Sequence, residues 1–454
     1  MRSYIIVDLG FGDSGKGLLT DFLVRRLGAG VVVRYNGGAQ AGHNVVSPDG
    51  RHHTFSQFGS GTFIPGVRTY LSRHVVIHPS ALLAEGDLLE AKGLRDVYSR
   101  LCVSDQALVI TPFHQASNRI RELWRGKNRH GSCGVGVGEA VEDALLNHDD
   151  RVLAGDLSHP ATLYRKLKSI RDRKREQIMS LFKDLHADSR ITKEMQIFER
   201  ADVIDLWTSS IGRITDLDLV VSDQVLEHWL HETENVVFEG AQGILLDQDA
   251  GFHPYTTWSR CTSANALELI NELAADSQAI RVGVMRSYAI RHGPGPLPTE
   301  TDELSALISE HNQYGEWQGK VRYGWFDAVL ARYALDVVDG VDIFALTHLD
   351  LLKQLASWKY CIGYKGYEQL EQQHINVNRP LDMLESFRMT NSLSLENRTI
   401  LTQALSKIRP LLESCKADER SVIRKIESII GQTISIISRG PSAQDVEILN
   451  PIPM

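Results

Sequence analysis

The sequence contains no C-x-x-C pair, and its five cysteines (Cys102, Cys133, Cys261, Cys361, Cys415) are odd in number and widely spaced. That spacing excludes a disulfide framework and a structural zinc site, and reads as reduced thiols. No apolar run approaches the roughly 20 residues of a membrane helix. A strand and a glycine-rich loop begin within ten residues of Met1, which leaves no room for a signal peptide. The expectation is therefore a cytoplasmic protein with no membrane partner. Charge of one sign is also scarce. A formal −8 over 454 residues argues against a dedicated nucleic-acid binder. Internal repeats and low-complexity linkers are missing, so one domain over residues 1–454 is expected, with a helical insertion at about 155–230. A chain of this length buries about three quarters of its unfolded surface and needs no disulfides to fold.

What is present begins with a β-α-β unit. Tyr4–Leu9 reads as a buried strand. Leu18, Leu19, Phe22, Leu23 and Leu27 then recur on one helical face, Gly28-Ala29-Gly30 breaks the helix, and Val31-Val32-Val33 starts a second strand. Further buried-strand candidates are Ala107–Ile110, Val236–Phe238, Ile280–Val284, Ile343–Thr347 and Ile434–Ile437. The charged stretch from Leu163 to Phe198 carries Leu163, Leu167, Ile170, Ile178 and Leu181 near helical spacing and reads as an amphipathic helical pair, with a nucleic-acid contact as the competing reading. The fold class implied is α/β: a large, mainly parallel sheet with a phosphate-loop-like N-terminal β-α-β unit and helical insertions. Open sheets of this kind place ligands at the C-terminal ends of their strands.

Four stretches carry chemistry. In "GFGDSGKG", Gly10, Gly15 and Lys16 fit the phosphate-loop pattern G-x-x-x-x-G-K, but Gly17 stands where a Ser or Thr hydroxyl normally holds Mg²⁺. Backbone N–H groups and the helix dipole favour phosphate there, and Lys16 adds a point charge. A carboxylate inside such a cradle repels phosphate unless a cation intervenes. Asp13 is then either the metal ligand that replaces the hydroxyl or a base on a substrate held beside the phosphates. "RYNGGAQAGHN" ends a strand in a glycine-rich loop with His43, an acid/base candidate or an inert surface histidine. "VVFEGAQGILLDQDAGFHPYTT" is a polar ligand loop carrying Glu239, Gln242, Asp249 and Thr257. "THLDLL" is similar to the T-K-x-D element of GTP-binding proteins, with Asp350 placed to accept from guanine N1–H and its 2-amino group, and His348 in the lysine position.

In their order these elements resemble the adenylosuccinate synthetase family, GTP-dependent ligases that join aspartate to a 6-oxopurine nucleotide. The family's W-G-D-E-G-K-G-K corresponds to Phe11–Leu18 and its R-Y-x-G-G-x-N-A-G-H to Arg34–His43. F-E-G-A-Q-G is intact as Phe238–Gly243, L-L-D-x-D-x-G as Leu245–Gly251, and G-x-G-P-x-P-T-E as Gly293–Glu300. G-W-[LF]-D is Gly324–Asp327, and S-x-G-P is Ser438–Pro441. The resemblance runs nearly end to end. It implies that Asp13 takes the purine N1 proton and coordinates Mg²⁺ with the Gly42 carbonyl, while Lys16 and His43 complete the catalytic set. It implies GTP binding at Gly12, Gly15, Lys16, Gly17, Gly42, Asp350, Ser438, Gly440 and Pro441. The purine nucleotide falls to Asp13, Gln40, Cys133, Asn147, Gln242 and Thr257, and the amino-acid amine donor to Gln318, Lys320 and Arg322. The family also implies a homodimer.

The departures cluster at the two sites that do not take GTP. Gln40 replaces the family's Asn before A-G-H. The family's T-T-G-R-G-x-G-P is Ser132–Glu139 here, with Cys133 for the second Thr. Asn147 aligns with the arginine that reaches the nucleotide phosphate across the dimer, Arg151 being the nearest downstream arginine. The arginine-rich T-T-G-R-R-R-R-T-G-W loop is Trp317–Trp325, one residue shorter. Ser14, where the family has Glu, is expected to belong with these changes. A specialised paralogue taking another purine nucleotide, such as dGMP, or another amine donor therefore stands beside inosine monophosphate and aspartate. A non-enzymatic nucleotide sensor is the reading from another class.

Overall fold

The computed structural model describes residues 1–181, 188–308, 314–315, 317–368, 370, 375–378, 382–387 and 395–453. Its largest feature is a ten-stranded sheet around β1 (Arg2–Asp8). On one side of β1 lie, in order, strands Gln278–Arg286, Ile343–Thr347, Ile434–Ser438 and Val446–Ile448. On the other lie Asn235–Glu239, β2 (Val31–Arg34), then Arg68–Leu71, Leu101–Ser104 and Val220–Val221. The neighbouring pairs are parallel, except that Val446–Ile448 runs antiparallel on Ile434–Ser438.

A parallel sheet covered on both faces makes near-continuous apolar strands, and β1 obeys this. Ile5 and Val7 enter one core cluster with Phe238 and Phe344. Tyr4 and Ile6 enter another with Leu19, Leu23 and Val24 of α1 (Lys16–Leu27). Helix α1 covers that second face and ends at Gly28 in the left-handed region. Because the strands are parallel, the loops after Asp8, Arg34, Glu239, Arg286, Thr347 and Ser438 all leave from one edge of the sheet. Residues more than 400 apart in sequence meet there.

The expected strand over Ala107–Ile110 is only Leu108–Val109, paired with Val76–Ile77 in a separate two-stranded sheet. The Ala107 amide closes a turn onto the Ser104 carbonyl, and Thr111 already caps the helix Pro112–Arg125. The run is cut short from both sides. Strands Arg68–Leu71 and Leu101–Ser104 join the sheet without having been expected. The charged stretch forms helices Pro160–Leu181 and Ser189–Glu199. Leu163, Leu167, Ile170 and Ile178 are buried; residues 182–187 and the Leu181 side chain lie outside the described residues. No described helix is long and apolar enough to cross a membrane.

Candidate active site

The loop after β1 is built on Asp8, whose buried carboxylate accepts from the Gly10 amide (2.9 Å), the Ser14 amide (3.0 Å), the Ser14 hydroxyl (2.8 Å) and Lys16 Nζ (2.8 Å). Ser14 therefore turns inward to hold the loop. Its place is beneath the cradle and not among the substrate-side changes where the sequence had put it. Gly12, Asp13 and Gly15 adopt positive φ of 93°, 57° and 95°, which coils the chain into α1 at Lys16.

Gly17 has a steric cause. A Cβ there would lie 2.8 Å from the Asn44 carbonyl oxygen and 3.0 Å from His43 Cβ. These atoms belong to β3 (His43–Val46), paired antiparallel with β4 (His52–Phe55). The hairpin lies directly on the first turn of α1, which excludes the usual Ser or Thr and brings His43 over the loop.

His43 Nδ1 meets Glu239 Oε1 at 2.5 Å, and Glu239 also accepts from the Ser60 amide (2.9 Å) and hydroxyl. Burial would raise Glu239, but His43, Arg34 and these hydrogen bonds hold it near 2. Burial and then Arg34 push His43 below its ordinary value despite Glu239. The short contact commits Nδ1 to the Glu239 carboxylate, which orients the ring and leaves Nε2 for a bound ligand.

Asp13 meets His292 Nε2 through Oδ2 at 2.5 Å, and its carbonyl accepts from Arg286 Nε. Burial would raise its carboxyl, yet the His292 hydrogen bond and the His292, Arg286 and Lys16 charges hold it well below the usual carboxylate range. It is ionised and positioned.

A cavity of about 400 Å³ opens over this loop, lined by Asp13, Gly15, Lys16, Gly17, Gly42, His43, Asp350, Gly440 and Pro441. Nine of the expected positions, from four sheet-edge loops, thus face one space. Gly12 lies on the small cavity behind the loop, and the Ser438 hydroxyl donates to the Gly440 carbonyl (2.7 Å), bracing that turn. Sequence reasoning missed Arg286, Tyr288 and His292, which single-sequence motifs do not mark, and Asp8, which as the last strand residue before a lysine loop was legible. His348 adopts φ 59° and packs edge-on against Tyr288. Burial and then Arg286 hold its ring far below its ordinary pKa, so no lysine-like charge stands there.

The remaining candidates lie away from this cavity. Gln40 and Gln242 flank Gly37–Gly38, and each has a buried side-chain oxygen with no hydrogen-bond partner among the described residues. Buried acceptors of this kind call for a donor from outside the chain. Cys133 sits half-buried in the 131–136 loop, its thiol pushed up to about 11 by burial and hence neutral. The Thr257 amide donates to the Leu246 carbonyl (2.8 Å). Asn147 ends helix Val137–Leu146 and donates to Asp143; Arg151 is half-buried on the segment that follows. Gln318 lies on the turn into strand Gly319–Gly324, and Lys320 lies within that strand, exposed. Arg322 donates to the Gly293 (3.0 Å) and Gly295 (2.7 Å) carbonyls and pairs with Glu300 (2.7 Å).

Comparison with known proteins agrees with this layout. A family model described as adenylosuccinate synthetase matches residues 5–447. The adenylosuccinate synthetase of Ectopseudomonas mendocina is 31% identical over 451 residues, covering 99% of this chain and 98% of the relative. That of Mycobacterium leprae is 34% identical over 368 residues, covering 80% and 81%. Two solved structures share the fold. Fully ligated adenylosuccinate synthetase from Plasmodium falciparum superposes with a TM-score of 0.75 at 21% identity, covering 99% of this chain and 100% of that one. The succinoaminodeoxyadenylate synthetase PurZ of cyanophage S-2L, bound to dGMP and to dATP as energy donor, gives 0.58 at 20%, covering 98% and 95%. Matched along nearly its whole length, the chain belongs to the adenylosuccinate synthetase family, whose members are carbon–nitrogen ligases.

Proposed function

We propose that the chain is a GTP-dependent ligase that forms a C–N bond at C6 of a 6-oxopurine nucleotide. In the default reaction, inosine monophosphate, L-aspartate and GTP give adenylosuccinate, GDP and phosphate. The observation that carries this reading is the meeting of Asp13, Lys16, His43 and Asp350 on one cavity. Oxygen O6 is a poor leaving group until it is phosphorylated. Asp13, already ionised, removes the N1 proton and so makes O6 a nucleophile toward the γ-phosphate. Lys16 and the amides opening α1 take the phosphate charge. His43, protonated and oriented by Glu239 at Nδ1, donates from Nε2–H to O6 and so stabilises its charge. The amine then displaces phosphate from C6. Asp350 accepts from guanine N1–H and the 2-amino group, a donor pair that adenine lacks.

Mg²⁺ fits the oxygen donors present. The Asp13 carboxylate and the Gly42 carbonyl share the cavity with the phosphate loop, and Mg²⁺ takes one or two carboxylates together with substrate phosphates. Among the described residues there is no cluster of three His, Cys, Asp or Glu that would form an all-protein cage. Bound there, Mg²⁺ would neutralise phosphate charge. The purine nucleotide would lie along Gln40, Cys133, Gln242 and Thr257, with Asn147 or Arg151 toward its phosphate and a second copy of the chain completing the assembly.

A second reading, a paralogue using another nucleotide such as dGMP or another amine donor, draws on Arg322. Its donors are taken up by Gly293, Gly295 and Glu300, leaving Lys320 as the exposed cation. Lysine binds a carboxylate only as a point charge, whereas arginine does so bidentately. The test is phosphate release from GTP with IMP, dIMP, GMP or dGMP, each with and without aspartate. Release with IMP plus aspartate alone supports the first reading, and release confined to another pair supports the second. GTP hydrolysis that ignores every purine nucleotide overturns both.

A further inference from the structure

The loop 131–136 and the segment 317–324 are far apart in sequence, yet they meet directly at one point and through Gly293-Pro294 at a second. At the first, the Trp317 indole lies against the Gly134 backbone so closely that a Cβ there would be 2.7 Å from Cδ1 and Nε1 and 2.9 Å from Cδ2. At the second, Gly131 packs on Pro294, next to Gly293, whose carbonyl accepts from Arg322. Arg119 joins the two sides. Its Nε donates to the Gly134 carbonyl (3.0 Å), its guanidinium lies 5.8 Å from the Trp317 ring centre, and it pairs with Glu194 on helix Ser189–Glu199 (3.3 Å). Both contacting stretches are among those where the chain leaves its family's pattern. The indole on one side and the bare glycine on the other therefore form one fitted joint.

We infer that Trp317 is a positioning residue that locks the nucleotide-side loop to the amine-donor turn, so that filling either site orders the other. The naming of the two sites rests on the proposed function; the joint itself does not. An aromatic face seated on backbone restricts both segments at once. The glycine admits it, and Arg119 anchors the assembly to the helical layer. A ligand that steadies loop 131–136 then lowers the ordering cost for a ligand on 317–324, and the reverse holds equally.

The experiment compares wild type with Trp317→Ala, Trp317→Phe, Gly134→Ala and the double variant Gly134→Ala/Trp317→Ala. Hydrogen–deuterium exchange of the ligand-free proteins is expected to speed up over 131–136 in Trp317→Ala, with the central sheet unchanged and Trp317→Phe close to wild type. Unchanged exchange there overturns the lock, whatever the substrate. With IMP added, wild type should slow exchange over 317–324 as well as 131–136, and Trp317→Ala only over 131–136. Equal slowing in both overturns the coupling, and no binding of any purine nucleotide overturns the reading beneath it. In turnover, Trp317→Ala should raise the KM of both substrates about tenfold, the loss of one aromatic contact, with little change in kcat. Gly134→Ala, already strained at φ 72°, should be less damaging in the Trp317→Ala background than alone. Independent, multiplying effects would refute the fitted contact.

Discussion

Restoring the usual phosphate-loop residue by Gly17→Ser should damage this protein, and Gly17→Ala separates the reason. Residue 17 lies in the first turn of α1, where exchanging Gly for Ala gains about 1 kcal/mol of helix propensity in open space. Here a Cβ meets the Asn44 carbonyl at 2.8 Å, His43 Cβ at 3.0 Å and the His43 carbonyl carbon at 3.2 Å. These are backbone and near-backbone atoms of a paired strand, so no flexible tip can swing aside. Overpacking of this kind costs about 1–3 kcal/mol, enough to cancel or exceed the propensity gain. The larger consequence is displacement of β3, which carries His43 and its 2.5 Å contact with Glu239. A misplacement on the order of 1 Å lowers turnover about 10²-fold. Urea unfolding and single-turnover phosphate release from GTP measure the two effects separately. Both variants should lose turnover, with Gly17→Ala no more stable than wild type. A Gly17→Ser protein with wild-type kcat and unfolding midpoint would refute the steric account.

Glu239→Gln removes the charge that orients His43, and should lower kcat by about 10²-fold while calorimetric GTP affinity barely changes; an unaltered kcat would place Glu239 outside the chemistry. Asp350→Asn replaces a double acceptor by one acceptor and one donor, so preference should shift from GTP toward XTP by about 10- to 100-fold, read from competitive turnover. Asp327 caps helix Ala328–Val337 and accepts from Tyr364 Oη at 2.6 Å, and burial pushes its carboxyl up to about 6. The folded chain thus holds this proton more tightly than the unfolded chain, whose carboxyl titrates near 4. Stability falls as pH rises from about 4 through 6, by roughly 3 kcal/mol in all. Asp327→Asn keeps a competent cap and should flatten that slope in urea unfolding at stepped pH; an unchanged slope would show that Asp327 does not titrate there.

The phosphate-loop unit was legible because its information is local. A strand period, a glycine-rich turn and a lysine lie within sixteen residues, and the helical face of Leu18, Leu19 and Leu23 follows directly. Strands such as Ile343–Thr347 were legible for a similar reason, since burial on both faces leaves an unbroken apolar run. Asp13, Lys16, His43 and Asp350 stood out through residue type and order along the chain, and those features alone carried the resemblance to the family. The partners that give these residues their character were not readable. His292 lies 279 residues from Asp13 and Glu239 lies 196 from His43, and neither pairing leaves a periodicity or a motif. Ser14 looked like a change on the substrate side until its hydroxyl was found beneath the loop on Asp8. Gly17 looked like a lost metal ligand until β3 was found lying across it. Sequence by itself determined the elements and the chemistry available, because propensity and residue type are local properties. Tertiary structure alone decided which carboxylate is ionised, which histidine is neutral and which glycine is obligatory, because those depend on what a parallel sheet brings to one edge.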